Sequence, residues 1–147
     1  MSFEQPEALD LSALREAIAS LHEGLEIVSD LEWFNRQSDK VQNTLIAGVI
    51  KNFEFVYEIS IKMIRRRLEI GADSPTDVDK MEFRNLLRSA AERGLINDVE
   101  AWFKYRKMRN VTAHTYDHEK ARQVYQETIV FIEDARLLLQ HLEAMNG

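Results

Sequence analysis

The apolar residues near the end of the sequence recur at alternating steps of four and three positions, and this spacing limits the possible fold more than any other feature. Seven residues follow it: Ala121, Tyr125, Thr128, Ile132, Ala135, Leu139 and Leu142. On an α-helix these intervals place side chains on one face, whereas a half-buried strand requires alternation at every second position. Such a seam is typical of helices that pack side by side in a bundle. It predicts a long last helix after Asp117, a suitable N-cap.

Apolar periodicity predicts four further helices, and no segment alternates as a strand would. The predicted helices cover about residues 11–34, 39–70, 75–93 and 98–110. Gly71 is expected to be a left-handed cap, Gly94 followed by Leu95 predicts a Schellman stop, and Asn97 is expected to cap the short fourth helix. The predicted fold is therefore all-α: an antiparallel four-helix up-and-down bundle with one short additional helix, in a single domain over residues 1–147.

The composition fits this fold and excludes several functions. The chain has 147 residues, of which 45% are apolar and 30% charged, with five glycines and two prolines. This balance favours one helical domain with its own core and no membrane span. The absence of cysteine excludes disulfides, thiol catalysis and cysteine-ligated metals. The acidic N-terminal segment does not resemble a signal peptide, so a cytoplasmic location is expected.

A formal net charge of −6 argues against a protein that coats nucleic acid, and no DNA partner is expected. Two basic clusters nevertheless interrupt the acidic chain, at residues 62–67 and 104–109. Their candidate RNA contacts are Lys62, Arg65, Arg66, Lys104 and Arg106. The alternative interpretation of the first cluster is a solvated helix face that pairs with Glu58 and Glu69.

The segment 109–117, RNVTAHTYD, holds the candidate chemistry. If the helix ends near residue 111 or 112, the side chains of Arg109, Asn110 and His114 can converge. An arginine that holds a phosphate, an amide that orients it and an imidazole that moves a proton suit cleavage of RNA by the adjacent 2′-hydroxyl, without a metal. The structural alternative is that Arg109 caps a helix end and His114 bonds a carbonyl group in a tight turn.

Arg109, Asn110, His114 and Tyr116 form the pattern R-x-x-x-x-H-x-Y with a polar residue after the arginine. This pattern resembles the HEPN-domain motif in the version of the HepT-like toxins, also known as nucleotidyltransferase substrate-binding proteins. The likeness extends over about residues 42–121 and includes the following positions: Phe53 to Phe55, Tyr57, Glu58, Gly71, Ser74, Pro75, Gly94 to Ile96, Asp98, Trp102 and Met108.

The resemblance implies a homodimer or a higher oligomer in which two copies of the motif face a shared cleft. It also implies that Arg109 and His114 cleave RNA, with tRNA the expected class, and that no metal or cofactor is bound. The implied partner is an antitoxin of the minimal nucleotidyltransferase class, which would use ATP and magnesium to adenylylate Tyr116. The added AMP would place negative charge and bulk beside Arg109 and so exclude a substrate phosphate.

Two other interpretations of the motif remain open at this point. The chain could be a non-catalytic subunit that presents a substrate, or its own tyrosine, to a nucleotidyltransferase. It could also be a helical dimerisation module without chemistry.

Overall fold

The computed structural model describes residues 8–146, and within this range the ordered elements are helices without any strand. Seven α-helices occur in chain order: α1 (Ser12–Ser29), α2 (Leu31–Asn35), α3 (Asp39–Ile70), α4 (Pro75–Asp79), α5 (Phe83–Glu92), α6 (Val99–Val111) and α7 (His118–Met145). A 3₁₀ turn at Thr112–His114 joins α6 to α7. No helix in the described range is long and apolar enough to cross a membrane.

The core lies between the long helices α1, α3 and α7 and is closed on one side by α6. Phe131 of α7 is fully buried at its centre. Its ring centroid lies 4.8 Å from those of Phe53 and Tyr105 and 6.0 Å from that of Trp102, and all three contacts are edge-on. Edge-to-face packing is favoured because the positive ring edge meets the negative ring face. The all-α bundle predicted from the seam on α7 is confirmed, and most of the seam is buried.

The predicted number of helices was wrong because two expected helices are each broken in two. The first breaks at Asp30, whose carboxylate accepts a hydrogen bond from the N–H of Trp33 (3.2 Å) and so starts α2. The expected helix over residues 75–93 breaks after α4. There the carbonyl of Val78 accepts from the N–H of Met81 (3.1 Å) and from Arg65 Nη1 (2.9 Å), which takes it out of the regular helix ladder.

Two of the four predicted cap residues are confirmed, Gly94 and the N-cap of α7, Asp117. Gly94 has φ = 78°, and the N–H of Leu95 donates to the carbonyl of Ala90 at 2.9 Å, as a Schellman stop requires. Gly71 has φ = −91°, so the predicted left-handed cap is absent there. Asp98, not Asn97, caps α6, since its carboxylate accepts from the N–H of Ala101 at 3.1 Å.

Candidate functional site

The R-x-x-x-x-H-x-Y motif lies at the end of α6 and in the tight connection to α7. The helix ends at Val111, one residue beyond the predicted end at about residue 110, and the 3₁₀ turn follows directly. The connection is ordered by its own hydrogen bonds: Thr115 Oγ1 donates to the carbonyl of Thr112 at 3.0 Å, and the N–H of Asp117 donates to the carbonyl of His114 at 3.1 Å. Asp117 then caps α7, as predicted, by accepting from the N–H of Glu119 at 3.0 Å.

The guanidinium of Arg109 is held against helix α3. Its Nε and Nη2 both donate to Oε1 of Glu58, at 3.0 and 2.8 Å. A second carboxylate, that of Glu54, lies 3.8 Å from Nη2 and also contacts Lys51. The Arg109 side chain remains 32% exposed, so one edge of the guanidinium faces solvent.

Thr112 holds the other side of the same guanidinium. Its hydroxyl donates to the carbonyl of Arg109 at 2.6 Å and accepts from Arg109 Nη1 at 2.9 Å. The backbone N–H of Thr112 also donates to the carbonyl of Arg109, so the side chain is fixed to the end of its own helix.

The electrostatics of this cluster favour the charged arginine. The hydrogen bond to Glu58 raises the pKa of Arg109 above its ordinary value, with Glu54 and the charge of Glu58 acting in the same direction against partial burial. Tyr57 lies beneath the cluster, and burial raises its pKa to about 12 although the charges of Arg106 and Arg109 oppose that rise. One guanidinium thus faces two carboxylates, one of which also pairs with Lys51, so the charges of these four groups balance.

His114, Tyr116 and Asn110 are all exposed. The His114 and Tyr116 rings meet edge-on, with centroids 6.1 Å apart and planes at 74°, and Tyr116 is 80% exposed. Within residues 8–146, no hydrogen bond links the side chains of Arg109, Asn110 and His114 to one another. The structure therefore places the three predicted residues on one helix end and its following turn, and brings His114 into contact with Tyr116.

The candidate RNA contacts are divided between structural and exposed positions. Arg65 donates a hydrogen bond to the carbonyl of Val78. Lys104 forms an ion pair with Glu127 at 2.6 Å. The guanidinium carbon of Arg106 lies 4.4 Å from the centroid of the Phe83 ring. Lys62 and Arg66 are exposed on α3. They follow Glu58 at intervals of four residues and therefore share its helix face.

The interpretation that Glu58 and Glu69 pair with the basic run 62–67 is wrong for Glu58, which binds Arg109. For Glu69, the neighbouring carboxyl group of Asp79 raises its pKa, while Arg65 and Arg66 of the basic run act in the opposite direction.

The other three histidines have ordinary surface contacts. His22 lies 2.5 Å from Glu26 and 2.7 Å from Arg136, His118 lies 3.5 Å from Asn43, and His141 contacts the carbonyl of Leu95 at 2.9 Å. No group of three or more histidine, aspartate or glutamate side chains in the described residues is placed to hold a metal ion.

Two residues hold the side chain of Arg109, and neither of them was assigned this role from the sequence. They are Glu58 and Thr112. Glu54 and Glu58 stand four residues apart and so share a helix face, which is a visible signal. That face meets α6 only through tertiary packing, and nothing in the sequence states which cation lies opposite.

Comparison with known proteins identifies relatives over almost the whole chain. Residues 9–144 match the family model described as "nucleotidyltransferase substrate binding protein like". A curated Haemophilus influenzae protein named "Probable ribonuclease HepT" is 44% identical over 138 residues, which cover 94% of each chain. A solved Haemophilus influenzae structure, described as the fold of a substrate binding domain of a nucleotidyltransferase, superposes with a TM-score of 0.89 at 44% identity. It covers 91% of this chain and 99% of that one.

Proposed function

Because this chain belongs to the family of nucleotidyltransferase substrate-binding-like proteins, we propose that it is a HepT-like ribonuclease toxin. Arg109 and His114 act on RNA, with tRNA the expected class, and an antitoxin of the minimal nucleotidyltransferase class silences the activity in the cytoplasm. The observation that carries the proposal is the arrangement at the end of α6, where an oriented guanidinium stands beside an exposed turn that bears an imidazole.

The geometry supports the chemistry in two ways. A guanidinium has five N–H donors, and the bonds to Glu58 and Thr112 use three of them, so donors remain for a phosphate. The exposed imidazole of His114 can accept the proton of a 2′-hydroxyl. The 2′-oxygen then bonds to phosphorus, the bond from phosphorus to the 5′-oxygen breaks, and the leaving 5′-oxygen takes up a proton from the protonated imidazole or from water. The products are a 2′,3′-cyclic phosphate and a 5′-hydroxyl end. Asn110 is the proposed residue that orients the phosphate.

The proposed active form is a homodimer or a higher oligomer in which two such helix ends share one cleft. A second copy would bring a second guanidinium and a second imidazole to the same cleft. Tyr116 is the proposed acceptor of AMP, since its 80% exposure leaves the hydroxyl open to another enzyme. An attached AMP would bring negative charge and bulk to the turn that holds His114.

Cleavage of total tRNA by the purified protein in EDTA tests the catalytic part of the proposal. The wild-type chain is expected to produce cyclic phosphate ends, and Arg109→Ala and His114→Ala are expected to lower the rate by about 10²–10⁴-fold. His118→Ala is the matched control, since this second exposed histidine stands four residues away and is expected to leave the rate unchanged. Full activity in both motif variants would refute the site.

A non-catalytic role as a substrate-binding subunit is the second candidate. It is favoured by the two carboxylates beside Arg109, which oppose the approach of RNA phosphates. Incubation with a nucleotidyltransferase of the proposed antitoxin class and ATP, followed by mass spectrometry of wild type and Tyr116→Phe, separates the two. A gain of AMP that requires Tyr116, together with an unmodified form that cleaves no RNA, would favour this candidate over the ribonuclease.

A further inference from the structure

Glu58 is bonded to the arginine of the motif from a different helix, 51 residues away in sequence. We propose that Glu58 is a positioning residue, which sets the orientation of the Arg109 guanidinium in advance of substrate binding. The inference rests on the proposed ribonuclease function and extends it to a residue outside the R-x-x-x-x-H-x-Y motif.

The hydrogen-bond geometry gives Glu58 this role. A single carboxylate oxygen accepts from both Nε and Nη2 of Arg109, and this two-point contact fixes the plane of the guanidinium. Thr112 fixes Nη1 from the opposite side. Because α3 supplies one contact and the end of α6 supplies the other, rotation of the long arginine side chain is restricted by two rigid elements.

The donors that remain fit a phosphate. The bonds to Glu58 and Thr112 leave one N–H on each terminal nitrogen of Arg109. Two N–H groups can bind two oxygens of one phosphate group. The Arg109 side chain is 32% exposed, so a phosphate can approach these donors from solvent, beside the Glu54 carboxylate that lies 3.8 Å from Nη2.

The same carboxylate has an unfavourable effect on substrate binding. The side chain of Glu58 is 54% exposed and carries negative charge where RNA phosphates must approach. Orientation of Arg109 increases the rate of the chemical step, whereas like-charge repulsion weakens the binding of RNA. The two effects act on different kinetic constants, and a residue with a merely structural role would not separate them.

The test measures kcat and KM for RNA cleavage by Glu58→Ala and Glu58→Gln. The alanine variant loses both the acceptor and the charge, so kcat is expected to fall at least about tenfold while KM does not rise. The glutamine variant keeps an oxygen that can accept from Nε and Nη2 and loses only the charge. It is expected to restore kcat to within about threefold of the wild-type value, with a KM below that of the wild type at low salt.

Glu133→Ala is the matched control for the loss of a glutamate that bonds an arginine. Glu133 accepts from Arg136 Nη1 at 2.7 Å on α7, and its side chain is exposed, as that of Glu58 is. This variant is expected to keep both kinetic constants. Urea denaturation of each variant shows whether the folded fraction is equal, and Glu58→Gln keeps the test decisive if Glu58→Ala does not fold.

The outcomes separate this inference from the proposed function. Two outcomes would overturn the positioning role while Arg109→Ala remained inactive. One is a wild-type kcat in Glu58→Ala, and the other is a tenfold loss of kcat in Glu58→Gln that equals the loss in Glu58→Ala. Cleavage that persists in Arg109→Ala would instead remove the proposed site itself.

Discussion

The two faces of helix α6 have opposite character. Trp102, Tyr105 and Met108 point into the bundle and are buried, with Trp102 only 2% exposed. Arg106, Arg109 and Asn110 point outward and are in contact with charged or aromatic surface groups or with solvent. Packing on the inner face depends on side-chain volume and on the edge-on arrangement of the rings, whereas the contacts of Arg109 depend on the direction of each N–H. One helix of 13 residues thus carries core packing and the proposed site on separate sides, so we expect that the two can be changed independently.

The inner face is tested most strongly by Trp102→Ala. The indole packs edge-on against Tyr105 and Phe131, and its removal is expected to lower the free energy of unfolding by about 3–5 kcal/mol. Urea denaturation measures the change. Lys107→Ala, on the exposed side of the same helix, is expected to change stability by less than about 0.5 kcal/mol. Equal losses in the two variants would show that the faces are not distinct.

A substitution at Gly94, in the Schellman stop that ends α5, is expected to lower stability by a smaller amount and to leave the proposed site unchanged. Gly94 has φ = 78°, and a Cβ atom added there would meet no neighbour within 4 Å. Gly94→Ala is therefore expected to cost about 1–2 kcal/mol through backbone strain alone, and Gly94→Asn less, because asparagine tolerates this conformation. Thermal denaturation ranks the three chains, and RNA cleavage per folded molecule is expected to stay constant. An alanine variant as stable as the wild type would contradict the strain.

The N-caps of α6 and α7 allow a comparison of two variants that are expected to lose similar stability, one of them far from the His114 turn and one beside it. Asp98→Ala and Asp117→Ala each remove a carboxylate that accepts backbone N–H bonds, and each is expected to cost about 1 kcal/mol. Only Asp117 borders the turn that holds His114. Cleavage assays at equal folded fraction are therefore expected to show a lower rate for Asp117→Ala alone. A similar loss in Asp98→Ala would mean that the turn has no special dependence on its cap.

Tyr57 gives an effect that is confined to alkaline pH, and it connects the core to the site, since it is buried yet close to Arg106 and Arg109. Burial disfavours the phenolate and raises the pKa from 10.0 to about 12. The folded state therefore holds the proton more tightly than the unfolded state does, and this contribution to stability is lost as the pH rises from about 10 toward 12. Tyr57→Phe is expected to reduce the fall in stability over this pH range, measured by urea denaturation. An identical slope in both chains would contradict the shift.

The bundle could be predicted from the sequence because its signals are local and repeated. The seam on α7 and the glycine of the Schellman stop both depend on residues that are close in sequence. The break between α4 and α5 could not be predicted, because no glycine or proline marks it. It depends on Arg65, which reaches the carbonyl of Val78 from another helix.

The candidate site divides in the same way. The motif residues Arg109, His114 and Tyr116 are neighbours in sequence, so their shared helix end was predictable from where α6 stops. The carboxylates around Arg109 were not, because the pairing requires knowledge of which faces of α3 and α6 meet. The predicted RNA contacts on α6 are engaged with Glu127 and Phe83 for the same reason.

Two hydrogen bonds between Thr112 and Arg109 connect the site to the end of helix α6. The carbonyl of Arg109 is an acceptor for Thr112, and the guanidinium of Arg109 is a donor to the same hydroxyl, so the two residues form a closed ring at the helix terminus. An anion that binds the remaining N–H groups of Arg109 leaves this ring intact and restrains the guanidinium further. Ligand occupancy is then expected to appear as slower amide hydrogen exchange near residue 112, without any label on the ligand.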